Sequence, residues 1–417
     1  MEEIVYWLWL SLACSPASTT FGKLIKEYSG AREIYEADDK RLSSIIGYRN
    51  SDRTALMNKS LDRANEIFSF CKKHHVGILT YVDDAFPNSL KEISDPPVLL
   101  YYRGTLPNFN SNLFVGAVGT RRLSDYGRKN AFKIGYDLAK AGAIVVSGMA
   151  EGIDGVTMAG AIAADGTTVA VIGSGINVCY PPQHQTLARQ IVKNGCVLTE
   201  YPPDTKPIGR NFPKRNRLIS GLSAAVVVFE GPEKSGALIT ARCAKEQGRS
   251  VFALPGSVEF KNSFAPNLLI KEGANICTRA EDLLNKFLDI YPSKINLFAL
   301  RDRMDANMMD VLTELRVSAT CPGDEIFSTY WSAKRVNSAR QEISVENEPI
   351  EQEEPGSEFD RTTIDIYRRI PPKDGCSIES LVDEEVSLKD LMRHLLKLEI
   401  SGFVVMLPGE MVARKFK

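Results

Sequence analysis

The 417-residue sequence predicts an α/β fold: an extended, Rossmann-like doubly wound parallel sheet, flanked by a small N-terminal helical module and a C-terminal winged-helix-like domain. Three observations predict it. Six continuously apolar runs fall between residues 113 and 254, with segments of helical character between them. Short amphipathic stretches crowd the first 75 residues, and a helix-and-hairpin pattern closes the chain behind an acidic tract. Strands that are apolar on both faces and separated by helices belong to a parallel sheet covered on both sides.

The N-terminal module spans residues 1–75. Ile4, Trp7, Leu8 and Leu12 recur at helical spacing, and Pro16 interrupts them. Phe21, Leu24, Ile25 and Tyr28 continue on a second helix ended by Gly30, and Leu61, Ala64, Ile67, Phe68 and Cys71 mark a third. The expectation is a SAM/HhH-like module. Cys14-Ser15-Pro16 stands where a DNA-binding hairpin would carry glycine, so its role reads as structural or partner-binding.

Residues 76–292 form the central domain. It opens with short extended pieces at 76–81 and 98–103. Strands are then expected at 113–118, 143–147, 167–172, 196–200, 224–230 and 250–254, and helices at 125–141, 155–164, 183–193 and 238–247. Residues 293–360 are expected to be a partly disordered acidic linker with a helix near Met308. Within it, 342–360 carries eight acids and no base. Residues 361–417 close the chain as helix, helix, helix and an apolar hairpin ending in Gly409.

Bulk composition excludes several classes. With 51 Lys+Arg against 52 Asp+Glu, the chain cannot coat a polyanion wholesale, so any nucleic-acid site is local. The eight cysteines are scattered without a C-x-x-C pair, which suits a reducing cytosol and gives neither a disulfide framework nor a zinc site. The apolar stretch 4–13 is too short to span a membrane and follows Glu2-Glu3 rather than a basic start. A cytoplasmic protein with no membrane association and no cofactor is expected.

The local site is conspicuous. Residues 205–217 hold Lys206, Arg210, Lys214, Arg215 and Arg217 with no acid and one aromatic, Phe212. Cations interleaved with a ring suit single-stranded nucleic acid, which offers phosphates to the charges and bases to the π-face. The strand ends add a second signal. Gly119-Thr120-Arg121 follows the first strand, Ser147-Gly148 the second, Gly173-Ser174-Gly175 the third, and Ser235-Gly236 opens a helix after the fifth. Such ends expose backbone N–H groups to an anion, in the crevice where open α/β sheets bind ligands.

A nucleotide enzyme is the rival reading. Gly173-Ser174-Gly175 lacks the third glycine of a dinucleotide fingerprint, and no phosphate-loop lysine motif is present. Asp154, Glu200 and Glu230 are the acids at strand or helix ends, and His184 follows Tyr180-Pro181-Pro182. Paired carboxylates could serve acid–base chemistry, whereas Glu200 and Glu230 could equally accept bonds from backbone amides, Arg215 or Arg217. Nothing links a nucleophile to a histidine.

In order along the chain, Val118-Gly119-Thr120-Arg121, Ser147-Gly148-Met149-Ala150-Glu151-Gly152-Ile153-Asp154, Thr199-Glu200-Tyr201-Pro202-Pro203, Phe212-Pro213-Lys214-Arg215-Asn216-Arg217-Leu218-Ile219 and Ser235-Gly236-Ala237-Leu238-Ile239-Thr240 resemble the DNA-processing family called DprA or Smf. The resemblance covers about residues 76–290. It implies a non-catalytic protein that binds single-stranded DNA, pairs as a homodimer through its Rossmann-like domain, and helps load the RecA recombinase in natural transformation. By position, Gly119, Arg121, Ser147, Gly148, Lys206, Phe212, Lys214, Arg215, Asn216, Arg217, Ser235 and Gly236 would be its DNA-binding residues. Arg121 would hold a phosphate, Phe212 would stack on a base, and Arg215 and Asn216 would contact backbone or base edges. Thr157-Met158 depart from the family's Ala-His. The alternative is a phosphoribohydrolase-like enzyme in the same crevice, although Gly231-Pro232-Glu233-Lys234-Ser235-Gly236 lacks that class's P-G-G-x-G-T-x-x-E element.

Overall fold

The computed structural model describes residues 2–47, 50–301, 304, 306–317, 359–371, 376–382, 388–401, 403–407 and 411–414. The chain forms two compact units, Met1–Val336 and Asn337–Lys417.

In the first unit, β3 (Phe114–Val118), β4 (Ile144–Ser147), β5 (Thr168–Val171), β6 (Cys196–Thr199), β7 (Ala225–Val228), β8 (Ser250–Ala253) and β9 (Asn275–Ile276) run parallel. With β1 (Gly77–Thr80) and β2 (Leu99–Gly104) they make a nine-stranded sheet of order β1-β2-β6-β5-β4-β3-β7-β8-β9. All six apolar runs become strands. The parallel sheet needs one correction: β2 pairs antiparallel with both β1 and β6, so the extended pieces at 76–81 and 98–103 form an antiparallel edge. Pairing of this kind is decided across the sheet, and neither short strand carries it in its own sequence.

Side chains alternate between two buried layers. Val115, Ala117, Val145, Ala170, Val197 and Val227 belong to one core, which also takes α8 (Asp125–Lys140), α9 (Ile153–Ala163) and α10 (Gln185–Asn194). Phe114, Val118, Val146, Val171, Leu198 and Val226 belong to the other, covered by α11 (Asn211–Leu222), α12 (Gly236–Glu246) and α13 (Phe264–Lys271). Each fully buried Val or Leu contributes roughly 1.5–3 kcal/mol, so alternation on both faces fixes which helix lies where.

Among the described residues the N-terminal module has six helices: α1 (Glu3–Ala13), α2 (Thr20–Leu24), α3 (Ala31–Glu36), α4 (Asp39–Ile46), α5 (Arg53–Met57) and α6 (Asp62–Lys73). The expected second helix stops early, at Leu24, and three more follow before α6. Trp7, Leu8, Phe21 and Ile67 share the first sheet core, so the module is packed onto the sheet. A four-residue α7 (Asn88–Lys91) lies between β1 and β2, and α14 (Ala280–Leu284) follows β9. The first part of the expected linker is packed instead: Ile295, Leu312, Leu315 and Val317 are buried in the same core. Its helix is α15 (Met308–Glu314). Residues 318–358, with most of the acidic tract, lie outside the described residues.

The second unit holds α16 (Arg361–Arg369) and α17 (Leu388–Ile400) around Ile366, Leu391, Leu395 and Leu398, with β10 (Cys376–Ser377), β11 (Val404–Leu407) and β12 (Met411–Arg414) in the order β10-β12-β11. The expected middle helix is a single turn at Ile378–Leu381. Among the described residues of the chain no helix is long and apolar enough to cross a membrane.

Candidate nucleic-acid interface

The chain reverses direction across the sheet at β3, whose two neighbours are β4 on one side and β7 on the other. Open α/β sheets bind ligands at such a switch point, beyond the carboxyl ends of the strands. A crevice of about 310 Å³ lies there, with Gly119, Thr120 and Arg121 after β3, Ala150 and Asp154 after β4, and Pro232, Lys234 and Ser235 after β7 along its walls.

The fourth wall is α11. The basic segment, to which the sequence assigns no element, is helical from Asn211 onward. Asn211 anchors its start by donating to the Gly173 carbonyl over 3.1 Å, and Tyr201 donates to the Asn211 carbonyl over 3.3 Å. Residues three, four and seven apart share a helix face, so Phe212, Arg215, Asn216 and Ile219 all line the crevice. Arg217 is two residues beyond Arg215, roughly 200° around the axis, and faces away.

Arg215 is 4% exposed. It donates to the carbonyls of Gly148, at 2.9 Å, and Val171. Asp154 supplies the opposing charge and accepts from the Gly148 N–H over 3.1 Å. Burial pulls the Arg215 guanidinium down to about 10, with Asp154 opposing that shift. Burial pushes the Asp154 carboxyl up, with Arg215 holding it back. Arg215 therefore stays cationic near neutral pH at the floor of the crevice.

Phe212 is half-buried. Its ring lies 5.5 Å from the Tyr180 ring, 5.5 Å from the Arg121 guanidinium and 5.9 Å from that of Arg215. Arg121 itself is exposed and forms no ion pair among the described residues. Facing them, α12 begins under Ser235, whose hydroxyl accepts from the Ala237 N–H over 3.2 Å. Open space stands where a Gly236 β-carbon would be. The positive end of this 11-residue helix thus faces the crevice.

Of the residues expected in the site, Gly119, Arg121, Phe212, Arg215, Asn216, Ser235 and Gly236 line one cavity. Lys206 and Lys214 are exposed outside its lining. Gly148 acts by lacking a side chain: a β-carbon there would sit 2.5 Å from both terminal nitrogens of Arg215. Two placements correct the expectation. Ser147 is fully buried and donates to the Ala117 carbonyl over 2.6 Å, so it ties β4 to β3. Arg217, 4% exposed, is paired with Glu200 at 2.6 Å and Asp95 at 3.2 Å behind the helix, because the periodicity of α11 carries it to the buried face. Thr120, Lys234, Ile239 and Thr240 also line the crevice. Lys234 stands one residue before the capping Ser235, and that adjacency was the available signal.

The acids of the rival reading have other partners. Glu200 holds Arg217; its carboxyl is raised by burial and drawn back by that arginine. Glu230 accepts from the Ser124 N–H at 2.9 Å and from its hydroxyl, fixing the loop after β3. His184 is buried, with Nδ1 3.0 Å from the Met149 carbonyl. Thr157, at the position that departs from the family, donates within α9 to the Ile153 carbonyl.

The family model for DNA recombination-mediator protein A matches residues 77–288, from the first residue of β1 to just past α14. The chain belongs to that family. Relatives include Protein Smf of Synechocystis sp., 37% identical over 291 residues that cover 68% of this chain and 72% of that one. DNA processing protein DprA of Bacillus subtilis is 42% identical over 201 residues, 48% of this chain and 68% of that one. The X-ray structure of DNA processing protein A from Streptococcus pneumoniae superposes with a TM-score of 0.59 at 34% identity, covering 68% of this chain and 99% of that one. Membership of the recombination-mediator family agrees with a crevice built from cations, helix N-termini and one aromatic ring.

Proposed function

We propose that this recombination mediator binds single-stranded DNA in the crevice at the ends of β3, β4 and β7, without turning it over. One observation carries the reading: α11 presents Phe212, Arg215 and Asn216 on one face, opposite Arg121 and the N-terminus of α12. Phosphates meet Arg121 and the α12 N–H groups, Arg215 contributes a fixed charge from below, and a base stacks against Phe212. Lys206 and Lys214 extend the positive surface beyond the cavity. A duplex keeps its bases stacked away from the ring, so single strands are preferred. Asp154, Glu200 and Glu230 are engaged by the protein itself, which supports binding without catalysis.

The family resemblance brings two partners, the RecA recombinase and a second copy of the chain, with the work done in the cytoplasm. For the homodimer, the supporting feature is the sheet edge at β9, where Ile276 is exposed beside the partly exposed Leu268 and Ile270 of α13. Titrating equal-length single and double strands across a salt series tests the binding claim. Tighter binding of the single strand supports it, and equal affinity sinks it.

A further inference from the structure

Beside the crevice lies a second groove of about 630 Å³, walled by Ser124, Tyr126, Pro255, Ser257 and Phe260. Its walls are built. Asn262 donates to the Arg122 carbonyl over 2.8 Å and accepts from the Gly231 N–H at 2.6 Å, binding the loop before α13 to the two crevice loops. Tyr126 donates to the Pro255 carbonyl over 2.7 Å, spanning the groove. Yet its rings stay open to solvent: Tyr126 is 48% exposed and Phe260 68%.

Charges of both signs surround it, with Glu259 and Lys261, both exposed, on either side of Phe260. The Glu230 carboxylate is buried and taken up by Ser124, and Asp125 is paired with Arg128. Arg121 and Arg122 are exposed between the two cavities, and among the described residues neither is ion-paired. The segment Thr120 to Tyr126, a loop running into the first turn of α8, therefore borders the crevice at Thr120 and Arg121 and the groove from Ser124 to Tyr126.

Resting on the function proposed above, we infer that this groove is a second nucleotide subsite. A single strand leaving the Phe212 crevice crosses Arg121 and Arg122 by its phosphates and stacks its next bases on Tyr126 and Phe260. Aromatic faces accept any base, and adjacent cations hold the backbone between stacking sites. The rings stand in the open because their partner is the strand.

The test is a length series of oligothymidylates bound to the full chain, comparing wild type, Phe260→Ala, Tyr126→Leu and Phe212→Ala, with oligomer mass recorded for each. Phe260 is mostly exposed, so its removal leaves the fold intact. The expected result is unchanged affinity of Phe260→Ala and Tyr126→Leu for the shortest strands that bind, and a loss of about five- to 150-fold for longer ones. Phe212→Ala weakens every length. If Phe260→Ala binds all lengths like wild type, the subsite is wrong while the crevice stands. If it binds like wild type but its oligomer mass falls, the groove is a protein-docking surface instead. If the wild type binds no single strand at all, the fault lies with the proposed function itself.

Discussion

The Arg215 guanidinium occupies the space above Gly148, donating to its carbonyl over 2.9 Å, where a single β-carbon would come within 2.5 Å of both terminal nitrogens. The glycine at the end of β4 thus positions the cation on α11. Gly148→Ala must move a buried, hydrogen-bonded arginine or the backbone beneath it. Overpacking of this kind costs about 1–3 kcal/mol. The expected outcome is that loss in urea denaturation, together with weaker single-strand binding. Unchanged stability and affinity would mean that Arg215 has another place to go.

Arg217 and Lys214 separate what α11 does for the fold from what it does for DNA. Removing Arg217 leaves Glu200 buried without its partner, and breaking such a pair costs about 3–5 kcal/mol. Arg217→Ala should therefore lower the denaturation midpoint strongly. Lys214→Ala, at an exposed position, should leave the midpoint unchanged and weaken DNA binding slightly. The reverse ranking in denaturation would contradict the placement of Arg217 behind the helix.

Arg121 and Phe212 should differ in salt dependence. Arg121→Ala removes one phosphate contact, so the slope of log affinity against log salt should flatten by about 0.7 for a single strand. Phe212→Ala should cost about 1–3 kcal/mol of binding and leave that slope nearly unchanged. Isotherms at four salt concentrations distinguish them. A flattened slope for Phe212→Ala would argue against stacking.

The C-terminal unit carries an acid-sensitive cap. Asp360 accepts from the Thr363 N–H and hydroxyl, both at 2.9 Å, at the start of α16. These bonds hold its carboxyl down to about 2 from the usual 3.8. A depressed carboxyl contributes stability that is fully present above its unfolded value and is lost as pH falls from about 4 toward 2. Asp360→Ala should speed amide exchange across Arg361–Arg369 at pH 6, by about 1 kcal/mol of capping. The difference from wild type should shrink as pH falls toward 2 and vanish below it. A difference that persists there would assign the effect to something other than the carboxylate.

Much of this was legible in the sequence. Six of the seven parallel strands are continuous apolar runs, which a parallel sheet buried on both faces calls for, whereas the two-residue β9 carries no such run. The crevice was legible as well, because its glycines, its cap at Ser235 and its Arg121 lie at strand ends. Helix α11 was hidden. From Asn211 to Arg217 its only large apolar residue is Phe212, so no stripe marks a helix until Leu218. Without the helix, five cations read as one surface, whereas the turn sends Arg215 to the crevice floor and Arg217 to Glu200. The antiparallel edge and helices α3 to α5 were also hidden, since pairing across strands and packing of short turns are settled by tertiary contact.

The most direct test of the crevice is to map a photocrosslink. A single-stranded oligonucleotide carrying a photoreactive thymine analogue is irradiated with the full chain, and the labelled peptides are identified by mass spectrometry. Label is expected on Phe212 and on the peptide holding Gly119–Arg122, suppressed by unlabelled single strand and poorly by duplex. Label confined to residues 361–414, or suppressed equally by duplex, would contradict it.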